Sequence, residues 1–184
     1  MATLIQNWDA PQSQVVAAGL TENWYAVQTY ARHEKAVAYR LQERGVPTFL
    51  PLVSEVHRWS DRKKIVQLPL FSCYVFAKIP PTNEYRLRIL QADGVLALVG
   101  KRGEGTPIPD QQIDSVRVMI QQQLPWTDHP FLKIGQRVRI RSGALNGMEG
   151  LLLSRTGENT LVISIDAIQR SLAVKVEGYE VEAA

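Results

Sequence analysis

Three histidines and one cysteine are the side chains best suited here to hold a metal ion or attack an electrophile, and their spacing keeps them apart. His33 falls in a helical stretch, His57 in an extended stretch and His129 in a proline-bounded segment, with no second His or Cys at metal-ligand spacing. Cys73 has no histidine near it in sequence to serve as its base, and neither GxxxxGK[ST] nor GxSxG occurs. The cluster Gly143-Ala-Leu-Asn-Gly147-Met-Glu-Gly150 is spaced wrongly for a dinucleotide fingerprint and has no helix to receive a phosphate, so it reads as a turn. Catalysis, a metal ion and a cofactor are therefore not expected, and binding is the chemistry that remains.

Two kinds of binding residue stand out. The stretch from Tyr30 to Lys64 holds 8 Lys/Arg against 4 Asp/Glu, while the rest of the chain is balanced at 13 against 14, so the positive excess resides in about one fifth of the sequence. Within it His33, Arg40 and Arg44 follow at steps of seven and four, one stripe of a helix that either tracks a phosphate backbone or is a solvated face. The run Arg58–Lys64, RWSDRKK, adds a second basic patch at a turn. The run LPLFSCYVFAKI, Leu68–Ile79, is apolar on both faces of a strand: Val75, Ala77 and Ile79 alternate with Tyr74 and Phe76. The aromatic side either forms an exposed patch for a partner or lies beneath a second layer.

The elements that must position these residues follow from local chemistry. WYAVQT reads as a strand, HEKAVAYRLQERG as a helix stopped by Gly45, and Thr48–Ile79 as extended chain folded into a long hairpin about WSDRKK. Asn83 is expected to cap a short helix reaching about Ala92. Asp110 is expected to cap a third, with Ile113, Val116, Ile120 and Leu124 at helical steps and Pro125 as its stop. VRIR, LLLS, TLVISI and LAVKV then read as short strands between Gly, Asn and Ser turns, long enough in sum for a small closed barrel. The predicted fold is α+β: an N-terminal antiparallel sheet flanked by about three helices, joined by a linker to a small all-β SH3-like barrel. Residues 1–22 read as a flexible tail, 23–124 as the first domain, 125–130 (PWTDHP) as the linker and 131–184 as the second domain. One cysteine allows no internal disulfide, and neither a signal sequence nor a run of roughly 18 apolar residues appears, so a cytoplasmic, membrane-free monomer is expected.

Four segments together carry a resemblance. WYAVQT, ARHEKAVAYRL, PLFSCYVFAKI and GQRVRIRSGALNGMEG stand in the order and spacing of a NusG N-terminal (NGN) domain followed by a KOW domain, over nearly the whole chain from Asn23. WSDRKK and IQRSLAVKV look closest to specialised paralogues such as RfaH and the antiterminators of polysaccharide gene clusters. The resemblance implies a bacterial transcription elongation and antitermination factor, with a ribosome-associated KOW-type RNA-binding protein as the alternative. It implies that Phe71, Tyr74 and Phe76 meet the clamp helices of RNA polymerase, with Tyr85, Arg86 and Arg88 on the opposite side of the cleft. Arg32, His33, Lys35, Arg40 and Arg44 would meet the non-template strand of the transcription bubble. Ile168, Gln169 and Arg170 would engage a ribosomal protein or the termination factor Rho, and Gly143, Gly147 and Gly150 would form the KOW turn. Some relatives refold the second domain into helices, but the β-branched runs here favour strands. One departure is local: the family pattern has Pro followed by Gly or Asn where this chain has Ser72-Cys73.

Overall fold

The aromatic and β-branched run Asn23–Thr29 becomes β1, the strand on which the first sheet is built. The computed structural model describes residues 21–58, 63–129, 136–141, 143–155, 158–176 and 181–183. The expected tail thus lies almost wholly outside the described residues, as do Trp59–Arg62 at the basic hairpin tip. After β1 come α1 (Glu34–Glu43), β2 (Thr48–Phe49), β3 (Leu52–Arg58), β4 (Lys63–Pro69), β5 (Tyr74–Ile79), α2 (Asn83–Leu90), β6 (Val95–Leu98) and α3 (Asp110–Gln121). The first sheet is antiparallel in the order β2-β5-β1-β6, and β3 and β4 form a hairpin of their own.

Register assigns each side chain its face. On β1 and β5, Tyr25 pairs with Ala77 and Val27 with Val75, and these four lie with Val37, Ala38, Leu41 and Ile89 of α1 and α2 in one core. Ala26 and Phe49 both pair with Phe76, and these point the other way, towards Ile113, Val116 and Met119 of α3. The alternation read along Tyr74–Ile79 therefore divides two cores. Two caps differ from expectation. Thr82, not Asn83, caps α2 by accepting the Tyr85 N–H at 3.5 Å, and α3 starts at Asp110 behind Pro109, with no side-chain cap. Proline suits that boundary because it lacks an N–H to satisfy.

The strand expected over Leu68–Ile79 is in fact two strands broken by a turn. The Tyr74 N–H returns to the Phe71 carbonyl at 3.2 Å, and Cys73 takes φ +69°, the left-handed conformation a turn of this kind asks of glycine or asparagine. Cys73 stands where the family pattern has Gly or Asn, so the departure has a conformational cost of roughly 1–2 kcal/mol. Glu34, buried at the start of α1, offsets it: its carboxylate accepts the Cys73 N–H at 2.8 Å.

β7 (Trp126–His129), β8 (Gln136–Ile140), β9 (Glu149–Arg155), β10 (Glu158–Ile165), β11 (Arg170–Lys175) and β12 (Val181–Ala183) form a second antiparallel sheet in the order β12-β8-β9-β10-β11-β7. Among the described residues the pairings run from β12 at one end to β7 at the other, and they make the small all-β unit expected to follow the first domain. The segment expected as a linker is thus largely a strand: Trp126–His129 pairs with Ser171–Val174 on β11. Two prolines mark its ends without preventing pairing between them. Along these strands Val138, Ile140, Val162, Ile163, Val174 and Val176 are buried and Leu152 is half-buried.

Replacing Cys73 by Gly is expected to raise unfolding free energy by about 0.5–1 kcal/mol, because relief of the left-handed penalty exceeds the extra chain entropy of glycine. Glu34→Ala should lower it by about 1–3 kcal/mol by leaving the Cys73 N–H unsatisfied. Urea titration of the three proteins measures both.

Candidate functional site

The aromatic face begins with Phe76, which stacks on Phe49 at 6.1 Å and meets Phe71 edge-on at 5.9 Å; Trp24 meets Phe49 edge-on at 6.4 Å. An exposed patch was one of the two readings of this strand, and the structure corrects it. Phe76 is 0% and Phe71 5% exposed, and Tyr74 is half-buried against the same cluster. The Arg117 guanidinium lies 5.0 Å from the centroids of both Trp24 and Phe49, capping the face from α3. The cluster does not end with the first sheet: it continues without a break into Val138, Leu161, Ile163, Ile168 and Leu172.

α3 is the joint, and the sequence reading missed it. Gln112 and Ser115 lie one turn apart on the flank facing the second sheet. The Gln112 amide donates to the Asp166 carboxylate at 2.9 Å and accepts the Asp166 N–H at 3.1 Å. The Ser115 hydroxyl donates to the Glu149 carbonyl at 3.1 Å and accepts the Glu149 N–H at 3.0 Å. Each such bond contributes a net ~0.5–1.5 kcal/mol, against ~1.5–3 kcal/mol for each large apolar side chain fully buried. Apolar burial therefore supplies most of the attraction between the two sheets, and the reciprocal pairs set their register. A serine inside an otherwise apolar helical stripe is the one hint the sequence held.

Ile168, Gln169 and Arg170 straddle this joint. Ile168 is buried in the shared cluster, at the end of the short turn Asp166–Ile168 that lies against β1, while Gln169 and Arg170 are exposed. Gly143 and Gly147 take φ +71° and +85°, and a Cβ on Gly150 would come within 2.5 Å of the Val162 carbonyl, so all three meet backbone demands.

On the opposite face, Arg88 pairs with Glu84 at 2.6 Å and stacks over Tyr85 at 4.7 Å. Arg86 lines a cleft of about 350 Å3 with Tyr25, Thr82 and Glu104, its Nε buried without a hydrogen-bond partner among the described residues. The helix α1 cations are less free than their spacing suggests. Arg40 donates to the Asp93 carbonyl at 2.7 Å and pairs with its carboxylate at 3.1 Å. Arg44 donates to the Arg88 carbonyl at 3.1 Å and Lys35 to the Gln67 carbonyl at 2.8 Å. Arg32 and His33 are exposed, and Arg32 makes no ion pair among the described residues. Further along, Tyr39 donates to Glu43 at 2.6 Å; that hydrogen bond, and then the carboxylate charge, raise the phenol above its ordinary pKa.

Among the described residues no group of three or more His, Cys, Asp or Glu is placed to hold a metal ion, and no helix is long and apolar enough to cross a membrane. An antiparallel α+β unit followed by a small all-β unit is the architecture of two-part NGN-plus-KOW transcription factors. The family model described as NusG, transcription termination factor nusG, matches residues 22–117, and the chain belongs to that family as a transcription termination/antitermination factor. It is 25% identical over 173 residues to the transcription termination/antitermination protein NusG of Lactococcus lactis subsp. lactis, covering 88% of this chain and 92% of that one. The same identity holds over 178 residues with the protein of that name from Neisseria meningitidis serogroup B, covering 89% and 98%. A solved structure concerning domain interaction in Thermotoga maritima NusG shares the fold, with a TM-score of 0.51, 20% identity and coverage of 89% of this chain and 97% of that one.

The double substitution Gln112→Ala, Ser115→Ala is expected to speed hydrogen exchange at the Glu149 and Asp166 amides by on the order of tenfold, the equivalent of about one lost hydrogen bond each. Exchange followed by NMR checks this, with the amides inside β1 as unchanged references.

Proposed function

We propose that this chain binds elongating RNA polymerase through the face built by Phe71, Tyr74 and Phe76 and biases the enzyme against pausing. The carrying observation is that this aromatic face shares its core with a second, separately paired sheet, held in register by two side-chain pairs on α3. In this reading residues 23–124 are the polymerase-binding domain, and the second sheet, with Trp126–His129 as its first strand, is a cover that lifts away. The clamp helices would then take its place against the rings. Tyr85, Arg86 and Arg88 face the other wall of the polymerase cleft, and Arg32, His33, Lys35, Arg40 and Arg44 face the non-template strand. Phosphate contacts need cations that can turn outward; Arg44 and Lys35, each held by one backbone carbonyl, can do so, whereas Arg40 would have to leave the Asp93 carboxylate as well. Gln169 and Arg170, with Ile168 once released, would engage a ribosomal protein or Rho.

The protein acts as a cytoplasmic monomer and catalyses no reaction; its effect is differential binding to the processive state, on the scale of about 1–3 kcal/mol. WSDRKK and IQRSLAVKV support a specialised paralogue serving particular operons, and occupancy confined to a few transcription units would bear this out, whereas uniform occupancy would count against it.

Co-purification with RNA polymerase tests the docking face. Tyr74→Ala is expected to lower recovery by about tenfold or more, the scale of a buried aromatic anchor. Asp166→Arg, which removes a register pair, is expected to raise it. Equal recovery of wild type and Tyr74→Ala removes this face from the interaction.

A further inference from the structure

Two arginines on α2 differ in how their charge is met. Arg88 is satisfied, its guanidinium on Glu84 at 2.6 Å and over the Tyr85 ring at 4.7 Å. Arg86, two residues earlier, is not. No hydrogen bond or ion pair among the described residues takes its guanidinium, and its Nε is buried without an acceptor. A buried charged N–H without an acceptor is costly, so such a group asks for one from outside. The guanidinium borders a cleft of about 350 Å3, room for a small molecule rather than a lone ion.

The walls of the cleft are fixed by backbone. The loop after β6 returns on itself, the Thr106 N–H donating to the Val99 carbonyl at 2.8 Å and the Glu104 N–H to the Lys101 carbonyl at 3.1 Å. Gly105 takes φ +86°, and a Cβ there would come 2.7 Å from both Leu98 Cδ2 and Tyr25 Cδ1. A Cβ on Gly103 would lie 3.5 Å from Arg86 Nη2, so the loop passes close to the guanidinium. On the other side is the entry to α2, where the Thr82 hydroxyl accepts the Tyr85 N–H at 3.5 Å and keeps its own proton to donate. Lys101 and Arg102 are exposed on the loop and make no ion pair among the described residues, while Glu104 is the one acid on the lining. A dianionic head with three acceptor oxygens matches this set: the Arg86 fork, the Thr82 hydroxyl and the Asn83 amide as donors, with Lys101 and Arg102 as attraction at longer range. A carboxylate, with two oxygens and one charge, leaves part of the set unused. The exposed rings of Pro81 and Pro107 add an apolar side for an organic group.

We propose that this cleft is a binding site for a small phosphate monoester, its phosphate on Arg86 and Thr82 and its organic part against Pro81 and Pro107. NMR titration of the full chain with adenosine monophosphate, inorganic phosphate and adenosine reads the site at the amides of Asn83, Arg86, Gly103 and Gly105. The monoester is expected to shift these amides saturably with a Kd on the order of 1 mM or below, the scale of a few charge-assisted hydrogen bonds. Inorganic phosphate should act on the same amides more weakly, and adenosine should leave them unmoved. Arg86→Gln should weaken the monoester by about 10- to 150-fold, the equivalent of one lost hydrogen bond to a charged group. Glu104→Gln, at an exposed acid, should tighten it by about two- to fivefold by removing a repulsive charge. The site is overturned by no saturable shift with the monoester, by equal shifts with adenosine, or by an unchanged Kd in Arg86→Gln. Unchanged or weaker binding in Glu104→Gln overturns it too, and inorganic phosphate binding as tightly as the monoester overturns the organic half of the assignment. None of these readouts involves polymerase, so the site stands or falls apart from the docking reading.

Discussion

A single continuous apolar core, passing from the aromatic face of the first sheet through α3 into the second sheet, is the constraint on which the arrangement of this molecule depends. α3 can serve as the joint because a helix presents different flanks at steps of three and four. Arg117 lies over Trp24 and Phe49 on one flank, while Gln112 and Ser115 bond to Asp166 and Glu149 on the other. An amphipathic helix at a protein surface needs one apolar stripe. This one is committed on two sides, which is why its buried set includes Ser115.

In the proposed reading the same core also covers the docking face. A face that must stay apolar for a partner yet not aggregate can be covered by another part of the same chain, and the cover need only be less favourable than the partner it yields to. Apolar contacts dominate the joint energetically and are not directional. The reciprocal amide and hydroxyl pairs supply direction, so one docked register is selected over neighbouring ones.

Backbone strain appears at two positions that aim side chains. Cys73 takes a left-handed conformation where the chain turns from Phe71 back into Tyr74, and Glu34 from α1 holds its N–H. Arg32 does the same between Tyr30 and His33. In both places a non-glycine residue at positive φ lies beside aromatic rings whose direction the turn decides, and local hydrogen bonds offset the cost.

Periodicity and turn chemistry sufficed for much of this. The strand Asn23–Thr29, the helices near Glu34, Asn83 and Asp110, the division of Val75, Ala77 and Ile79 from Phe76, and the all-β character beyond Trp126 depend on contacts close in sequence or on simple alternation. So does the glycine turn from Gly143 to Gly150, whose residues answer backbone needs. Other features turn on which distant residues meet. Alternation shows that Phe76 and Tyr74 share a side but not what covers it, and proline composition does not reveal that Trp126–His129 finds β11. Helical spacing aligns His33, Arg40 and Arg44 but is silent about Asp93 and the Arg88 carbonyl, which come from elsewhere in the chain. The sequence by itself determined which segments are strands and helices and which faces are apolar, because those are local properties; only the tertiary structure decided which faces meet and which charges stay free, because those depend on packing between residues far apart in the chain.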